Sequence, residues 1–518
     1  MPFWQLRQIV AYGTLSFFLV FVLSFGVADS LLRLYPEGVQ RAWGIIKAFE
    51  AGADDSLSIP DFTHYEQVKT LDEDQFPLDD LTRRVIIVGD IHGMMKPFKK
   101  LLKRVDYSPS KDLLIHVGDV MVKGPHSDSM AVLHYLASHN ITGVRGNHDQ
   151  QIIEWRGWLN WIISLPGGRC WLENLEKKWS DSQEDDDDLS LELWMDNERI
   201  SSAKSEKKWW KLIPEGWVLF TEHYRIAREM SKAQFQYLLD LPLRLYAPSA
   251  HLFIAHAGML AANPKYPLDD KKNQPLARVP VPSRHRFYND SFNDTQALVH
   301  DIEQKFSALS SHKSVHALRN LQELGLLLQI PQNVDGRLTL NMRSIVDGEV
   351  TKGKSGRPWA NLWCEQMKSC VGYDAKGHIN DSDDTGDLST SDIDIRKKKG
   401  KKYRLPCYPS SVVYGHAASR GLDIKRWSFG IDTGCVYEKR LTALIIGGVT
   451  RSDFTPVEGN EDSSADEDKN EEELDDRSKH EGEEDEDEDT DIETGNWQSK
   501  RPVPFGDNAR ARIVSVKC

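Results

Sequence analysis

Five short motifs hold the residues that could do chemistry: Asp90 and His92 in GDIHG, Asp119 in GDVMVKGP, Asn147, His148 and Asp149 in RGNHD, His256 in HLFIAHAG, and His416 in VVYGH. Carboxylate, imidazole and amide without thiolate suit borderline-to-hard divalent cations such as Mn, Fe or Zn, and argue against a structural zinc. Asp119 is the expected bridging ligand, because one carboxylate can hold two cations about 4 Å apart, as two-metal hydrolases require. Gly89, Gly93, Gly118, Gly146, Gly258 and Gly415 lie within these motifs and let the backbone turn tightly beside the ions. A lone Asp-x-His after a strand is common, and a lone His256 would ordinarily be a hydrogen-bonded core histidine. Five such fragments in order, each closing an apolar stretch, are hard to explain by packing alone.

The elements that must position them follow from hydrophobic patterning. RVIIVGD at 84–90 and DLLIHVGD at 112–119 are continuous apolar runs of strand length. Between them Pro97 suits a first helical turn, and Phe98, Leu101, Leu102 and Val105 recur at helical spacing. A second helix with Met130, Leu133 and Ala137 inward leads to a short third strand, ITGVRGN. Such alternation predicts an α/β fold of parallel β-α-β units whose carboxyl edge gathers the polar motifs. Later strands are expected at 251–258, at 411–416 and in a hairpin-like stretch at 427–448.

The 518 residues are 40% hydrophobic and contain fifteen Trp, enough for a sizeable core. Collagenous, disulfide-scaffold and wholly disordered classes are excluded. Net charge is −14, yet 460–495 alone carries twenty acidic against three basic residues, or −17, so the remainder sums to about +3. Segments 180–192, 374–404 and 455–500 read as disordered or solvent-facing. A lysine run at 397–402 could hold a polyanion, or pair with its own acidic neighbours. Cys170, Cys364, Cys370, Cys407, Cys435 and Cys518 form no C-x-x-C pair, and their number fits disulfides and free thiols equally.

Residues 9–28 carry no charge and span about 30 Å as a helix, one hydrocarbon core. A retained signal anchor is expected after a short cytosolic N-terminus, 1–8; the alternative is a cleaved signal peptide ending at Gly26-Val27-Ala28. Either places the bulk of the chain in a lumen or outside, where sequons at Asn140, Asn289, Asn293 and Asn380 are usable. The expected plan is connector 29–83, catalytic domain 84–450 with insertions about 170–215 and 374–404, and an acidic, mostly disordered tail 451–518.

Together the five motifs resemble the calcineurin-like metallophosphoesterases, and GDVMVKGP resembles their ApaH-like branch. With the apolar N-terminal segment, PWANLW (358–363) and YGHAASRGLDI…GIDTGCVY, the whole chain resembles the fungal vacuolar zinc-dependent endopolyphosphatases. The resemblance implies an αββα fold, a β-sandwich flanked by helices. It implies two divalent ions, zinc favoured over Mn, Co, Fe or Mg, one at Asp90, His92 and Asp119 and the other at Asp119, Asn147, His256 and His416. His148 takes the place of the general acid, while Lys123 and Arg343 take places that contact phosphate. Implied too are inorganic polyphosphate as substrate, a single-pass type II protein of the vacuole, and no specific nucleic-acid binding.

Two cations would make a water nucleophilic near neutral pH and neutralise phosphoryl oxygens during in-line attack, so no protein nucleophile is needed. The chain departs from protein phosphatases at Val122, where they carry an aspartate that orients the acid histidine. His148 is therefore expected to be less firmly oriented, which fits a phosphoanhydride, whose leaving phosphate needs little protonation. Rival expectations are a phosphoprotein phosphatase, a dinucleoside polyphosphate hydrolase, and an inactive membrane-anchored binding protein.

Overall fold

Strand β2 (Arg84–Val88) has Val85, Ile86, Ile87 and Val88 buried on both faces, as a continuous apolar strand covered on each side must be. It pairs in parallel with β3 (Asp112–His116), which pairs in parallel with β4 (Thr142–Gly143). The computed structural model describes residues 58–77, 80, 82–185, 190–280, 315–373, 404–447 and 502–518. Residues 9–28, the lysine run at 397–402 and the acidic stretch 460–495 lie outside them. Among the described residues no helix is long and apolar enough to cross a membrane.

Two compact units are distinguished. Residues 202–217 belong to the smaller; there Trp210 Nε1 donates to Ser202 Oγ at 2.8 Å beside the short helix Lys207–Trp210. The site lies in the larger unit, residues 61–201 and 218–518.

Among its described residues the larger unit holds a three-stranded sheet, in the order β8 (Glu349–Thr351), β7 (Ser344–Val346), β9 (Arg357–Pro358), and two six-stranded mixed sheets. One runs β1 (Lys69–Thr70), β5 (Arg244–Ala247), β6 (Leu252–Ala255), β10 (Ser411–Tyr414), β12 (Ser428–Gly430), β11 (Asp423–Ile424). The other runs β14 (Val503–Phe505), β15 (Ala509–Lys517), β13 (Arg440–Gly447), β2, β3, β4. Val85 and Ile87 of the second sheet share one buried cluster with Leu252, Ile254 and Phe429 of the first. The sheets therefore pack face to face, and helix Met95–Arg104 lies against β13 and β15 on the outer side.

Three expectations need correction, and a fourth gains detail. The stretch 427–448 is no hairpin: β12 pairs in parallel with β10, and β13 pairs with β2 and β15 in the other sheet. The intervening loop crosses between sheets, an option open to it because nine residues separate Gly430 from Arg440 and a tight turn is not imposed. Helix His126–Ser138 buries Ser129, Val132, Leu133 and Leu136; Met130 and Ala137 sit at the margin of that face. Within 180–192, read as disordered or solvent-facing, the helix Gly168–Asp185 runs on to Asp185 and Leu191–Ser201 forms another, with Asp181 and Glu192 exposed. Trp179 and Trp194 pack there, ring centroids 5.1 Å apart, and both reach Phe220. Finally, the chain after 450 is not all tail, since β15 lies between β13 and β14 and buries Ala511, Ile513 and Val516.

Disulfides join Cys370 to Cys407 and Cys435 to Cys518. Cys170 is exposed and Cys364 buried, both free.

Candidate metal centre

Every polar motif follows the carboxyl end of a parallel strand, three from each sheet. β2, β3 and β4 deliver Asp90 with His92, Asp119, and Asn147 with His148; β6, β10 and β12 deliver His256, His416 and Asp432. Backbone bonds lace the loops: the N–H groups of Ile91 and His92 donate to Asp119 O at 3.2 and 2.9 Å. Across the sandwich, His416 N–H donates to both Asp90 carboxylate oxygens at 3.2 and 3.0 Å. The approach is close enough to require glycine, since a Cβ on Gly415 would lie 2.0 Å from Asp90 Oδ1, and one on Gly146 2.1 Å from Asp119 Oδ1.

The expected ligands meet in two buried groups sharing one carboxylate. Asp119, His256 and His416 form one and Asp90, His92 and Asp119 the other, the ligand atoms of each lying within 4.8 Å of one another. His256 Nδ1 donates to Val117 O at 2.9 Å, which in the neutral ring leaves a lone pair on Nε2. Around that nitrogen stand His416 Nδ1 at 3.1 Å, Asn147 Oδ1 at 3.0 Å and Asp119 Oδ2 at 3.4 Å. Four acceptors converging without a donor fit a divalent cation, and His416 Nε2 is buried without a hydrogen-bond partner.

Charge argues the same way. Asp90, Asp119, Asp149 and Asp432 are all at most 4% exposed, and buried carboxylates must be paired or bind metal. Burial, with Asp432 and Asp119 beside it, pushes Asp90 well above the usual carboxylate range. Burial works against charge on Asp119 and His256 too. His256, with His148 and His92, nevertheless holds Asp119 well below its ordinary range, and Asp119 raises His256. His92 is lowered to about 4, chiefly by burial. The site asks for positive charge, for which protons and metal compete.

The other expected residues lie at the rim. His148 N–H donates to Asp119 Oδ1 at 2.9 Å, and its ring packs edge-on against His92. Lys123 is exposed, its Nζ 6.0 Å from the Tyr437 ring centroid. Arg343 donates to His416 O at 3.3 Å and to Lys352 O at 3.0 Å, so it stands against the centre with its guanidinium already engaged by backbone.

Glu222, His223, Asp432 and the backbone shape of the turn at Val122 and Lys123 escaped the sequence reading. Val122 and Lys123 both adopt left-handed backbone, φ 70° and 73°, a costly state for a β-branched residue. Glu222 holds this turn by accepting from Lys123 N–H at 2.8 Å. The neighbouring His223 places Nε2 2.9 Å from His148 Nδ1. Asp432 stands behind Asp90 and accepts from Gly434 N–H at 3.1 Å. Its signal was present in GIDTG, an Asp after an apolar strand and before a glycine. Asp149 caps its own helix, accepting from Gly146 N–H and Val120 N–H.

Residues 83–257 match the family model described as calcineurin-like phosphoesterase. Serine/threonine-protein phosphatase 1 of Salmonella typhimurium is 38% identical over 93 residues, 18% of this chain and 42% of that protein. The symmetrical bis(5'-nucleosyl)-tetraphosphatase of a Shewanella species is 43% identical over 74 residues, 14% of this chain and 26% of that one. The chain thus spans less than half the length of these curated relatives. A solved structure named for a diadenosine tetraphosphatase aligns over 74% of this chain and 94% of its own, at 21% identity and a TM-score of 0.34. Over residues 83–257 the chain is therefore similar to the calcineurin-like phosphoesterases, and over shorter stretches to a serine/threonine-protein phosphatase and to bis(5'-nucleosyl)-tetraphosphatases.

Proposed function

We propose that the chain is a binuclear metal-dependent phosphohydrolase that cleaves phosphoanhydride bonds, with inorganic polyphosphate as its substrate. The observation that carries the reading is the convergence of carboxylate, imidazole and amide groups from two sheets on two points sharing Asp119. Divalent ions there would activate the attacking water and neutralise the phosphoryl oxygens. The chain's own residues do the rest. Lys123 and Arg343 add positive charge at the rim where a phosphate arrives, and His148 supplies a proton to the departing oxygen. No carboxylate stands at Val122 to raise the basicity of His148, which favours a leaving group that is itself a phosphate.

Dinucleoside polyphosphates share the anhydride bond, and the likeness to bis(5'-nucleosyl)-tetraphosphatases keeps them as the second reading. We further infer a luminal, vacuolar address with 9–28 as anchor. Two disulfides support it, because thiols in a cytosol are kept reduced.

The test is the purified full-length chain assayed on long polyphosphate, ATP, diadenosine tetraphosphate and a phosphopeptide, each with Zn, Mn, Co and Mg. Polyphosphate shortened faster than the others are hydrolysed is the expected result. Turnover of the phosphopeptide alone would overturn the anhydride assignment, and no turnover of any substrate would overturn the enzyme.

A further inference from the structure

Helix Glu222–Glu229 brings two consecutive side chains to two different loops of the centre. Glu222 fixes the turn at Lys123, and His223 meets the ring of His148. The imidazoles of His148 and His223 stack with centroids 5.1 Å apart and planes at 19°. Among the described residues no carboxylate is hydrogen-bonded to the His148 ring, and Val122 offers only an isopropyl group.

The helix is held from its far side by the insertion. Glu176, on helix Gly168–Asp185, accepts from Tyr224 OH at 2.5 Å and from Arg228 Nε at 2.9 Å. The Tyr224 ring stands edge-on to Trp155 and Phe220, at 5.3 and 5.2 Å, and Phe220 joins the Trp179–Trp194 pair. An aromatic and ionic clamp therefore sets where His223 sits.

Resting on the hydrolase reading above, we infer that His223 is the positioning residue for the acid of the reaction. Its neutral Nε2 accepts Nδ1–H of His148 and turns the other nitrogen toward the departing oxygen. In the step, Nε2–H of a protonated His148 passes to that oxygen as the P–O bond breaks, and the bonding pair stays with the oxygen. His148 is left neutral, still donating Nδ1–H to His223, and the proton released by the attacking water restores it. His223 keeps one protonation state throughout. A neutral acceptor thus orients the donor without the negative charge that would make its proton harder to give up. This orientation runs against the expectation that Val122 leaves His148 less firmly oriented. That expectation followed from looking only at Val122, whereas the partner arrives 75 residues later.

The full-length protein tests this with His223→Phe, which keeps a stacked ring but no acceptor, and His223→Gln, whose amide oxygen reaches the place of Nε2. Substrates are phenyl phosphate, a poor leaving group, and polyphosphate, a good one. His223→Phe is expected to lower kcat on phenyl phosphate about 10- to 100-fold, with a smaller loss on polyphosphate and KM unchanged, and His223→Gln to recover most of it. In metal-free protein with 15N-labelled histidine, the His148 ring signals should shift in His223→Phe and stay near wild type in His223→Gln. Equal losses on both substrates, an unchanged kcat, or unmoved His148 signals in His223→Phe would overturn the assignment. Were wild type inactive on every phosphate, the proposed function would fall, and the ring signals would still decide whether His223 holds His148.

Discussion

His148 and His116 show how the same side chain takes opposite roles from its surroundings. His148 stands at the rim with Nδ1 engaged and its pKa lowered, mainly by burial. Replacing it with Asn should slow alkyl- and aryl-ester cleavage about 10²-fold or more and anhydride cleavage much less; equal losses on both, read from kcat, would remove the leaving-group argument. His116 is a core residue. Gly118 N–H donates to its Nδ1 at 3.3 Å, and Tyr237, whose hydroxyl donates to Ile141 O, accepts from its Nε2 at 2.9 Å. Neither nitrogen has room for a second proton, and burial lowers its pKa from 6.5 to about 3. The unfolded chain takes up a proton below pH 6.5 that the folded chain refuses until about pH 3. The stability His116 contributes is therefore complete above pH 6.5 and lost as pH falls through that window, by about 1.4 kcal/mol per unit. Denaturant unfolding of metal-free protein from pH 7 to 4 should show that slope, reduced in His116→Asn; identical slopes would exclude His116 as the source. Sequence separates these histidines only partly. His92, His256 and His416 were legible because a glycine and a strand end accompany each, while His223 is announced by nothing nearer than its helix.

Elements explain why Asp432 and the disulfides were missed together. The crossing loop after β12 carries Asp432 and then Cys435, and its partner Cys518 lies 83 residues on. Thr433 Oγ1 donates to Arg440 O, and Thr433, Thr442 and Ser515 hydroxyls line up at 2.7 and 2.8 Å across β13 and β15. A reading that took 427–448 as a hairpin had no reason to seek the last strand, because a hairpin would have left β13 paired with β12 rather than free for β15. Closing so long a loop is worth about 4 kcal/mol by chain entropy. Cys435→Ser with Cys518→Ser should lower the unfolding midpoint accordingly and weaken metal retention, since Asp432 stands beside Asp90. A midpoint equal to wild type, and insensitive to reductant in both proteins, would show that the bridge does not form in the folded chain.

At the scale of the molecule, the acidic stretch interrupts the domain instead of ending it. Residues 451–518 read as a mostly disordered tail because the charge of 460–495 excludes burial, and nothing in that composition signals a return to the sheet. Yet Ala509–Lys517 pairs along seven residues with β13, from Arg440↔Lys517 to Ile446↔Ala511. Phe505, Ile513 and Val516 are at most 5% exposed. Burying each is worth about 1.5–3 kcal/mol, and the three together rival the roughly 5–15 kcal/mol that holds a whole domain folded. Truncation at 450 should therefore give insoluble or unfolded protein, whereas excising 460–495 alone should leave a folded protein. Removing a local charge of −17 should also lower KM for polyphosphate at low salt, with the difference vanishing as ionic strength rises. A soluble, cooperative unfolder ending at 450 would refute the structural role of β15, and a salt-independent KM in the excised protein would show that the acidic stretch does not repel the substrate.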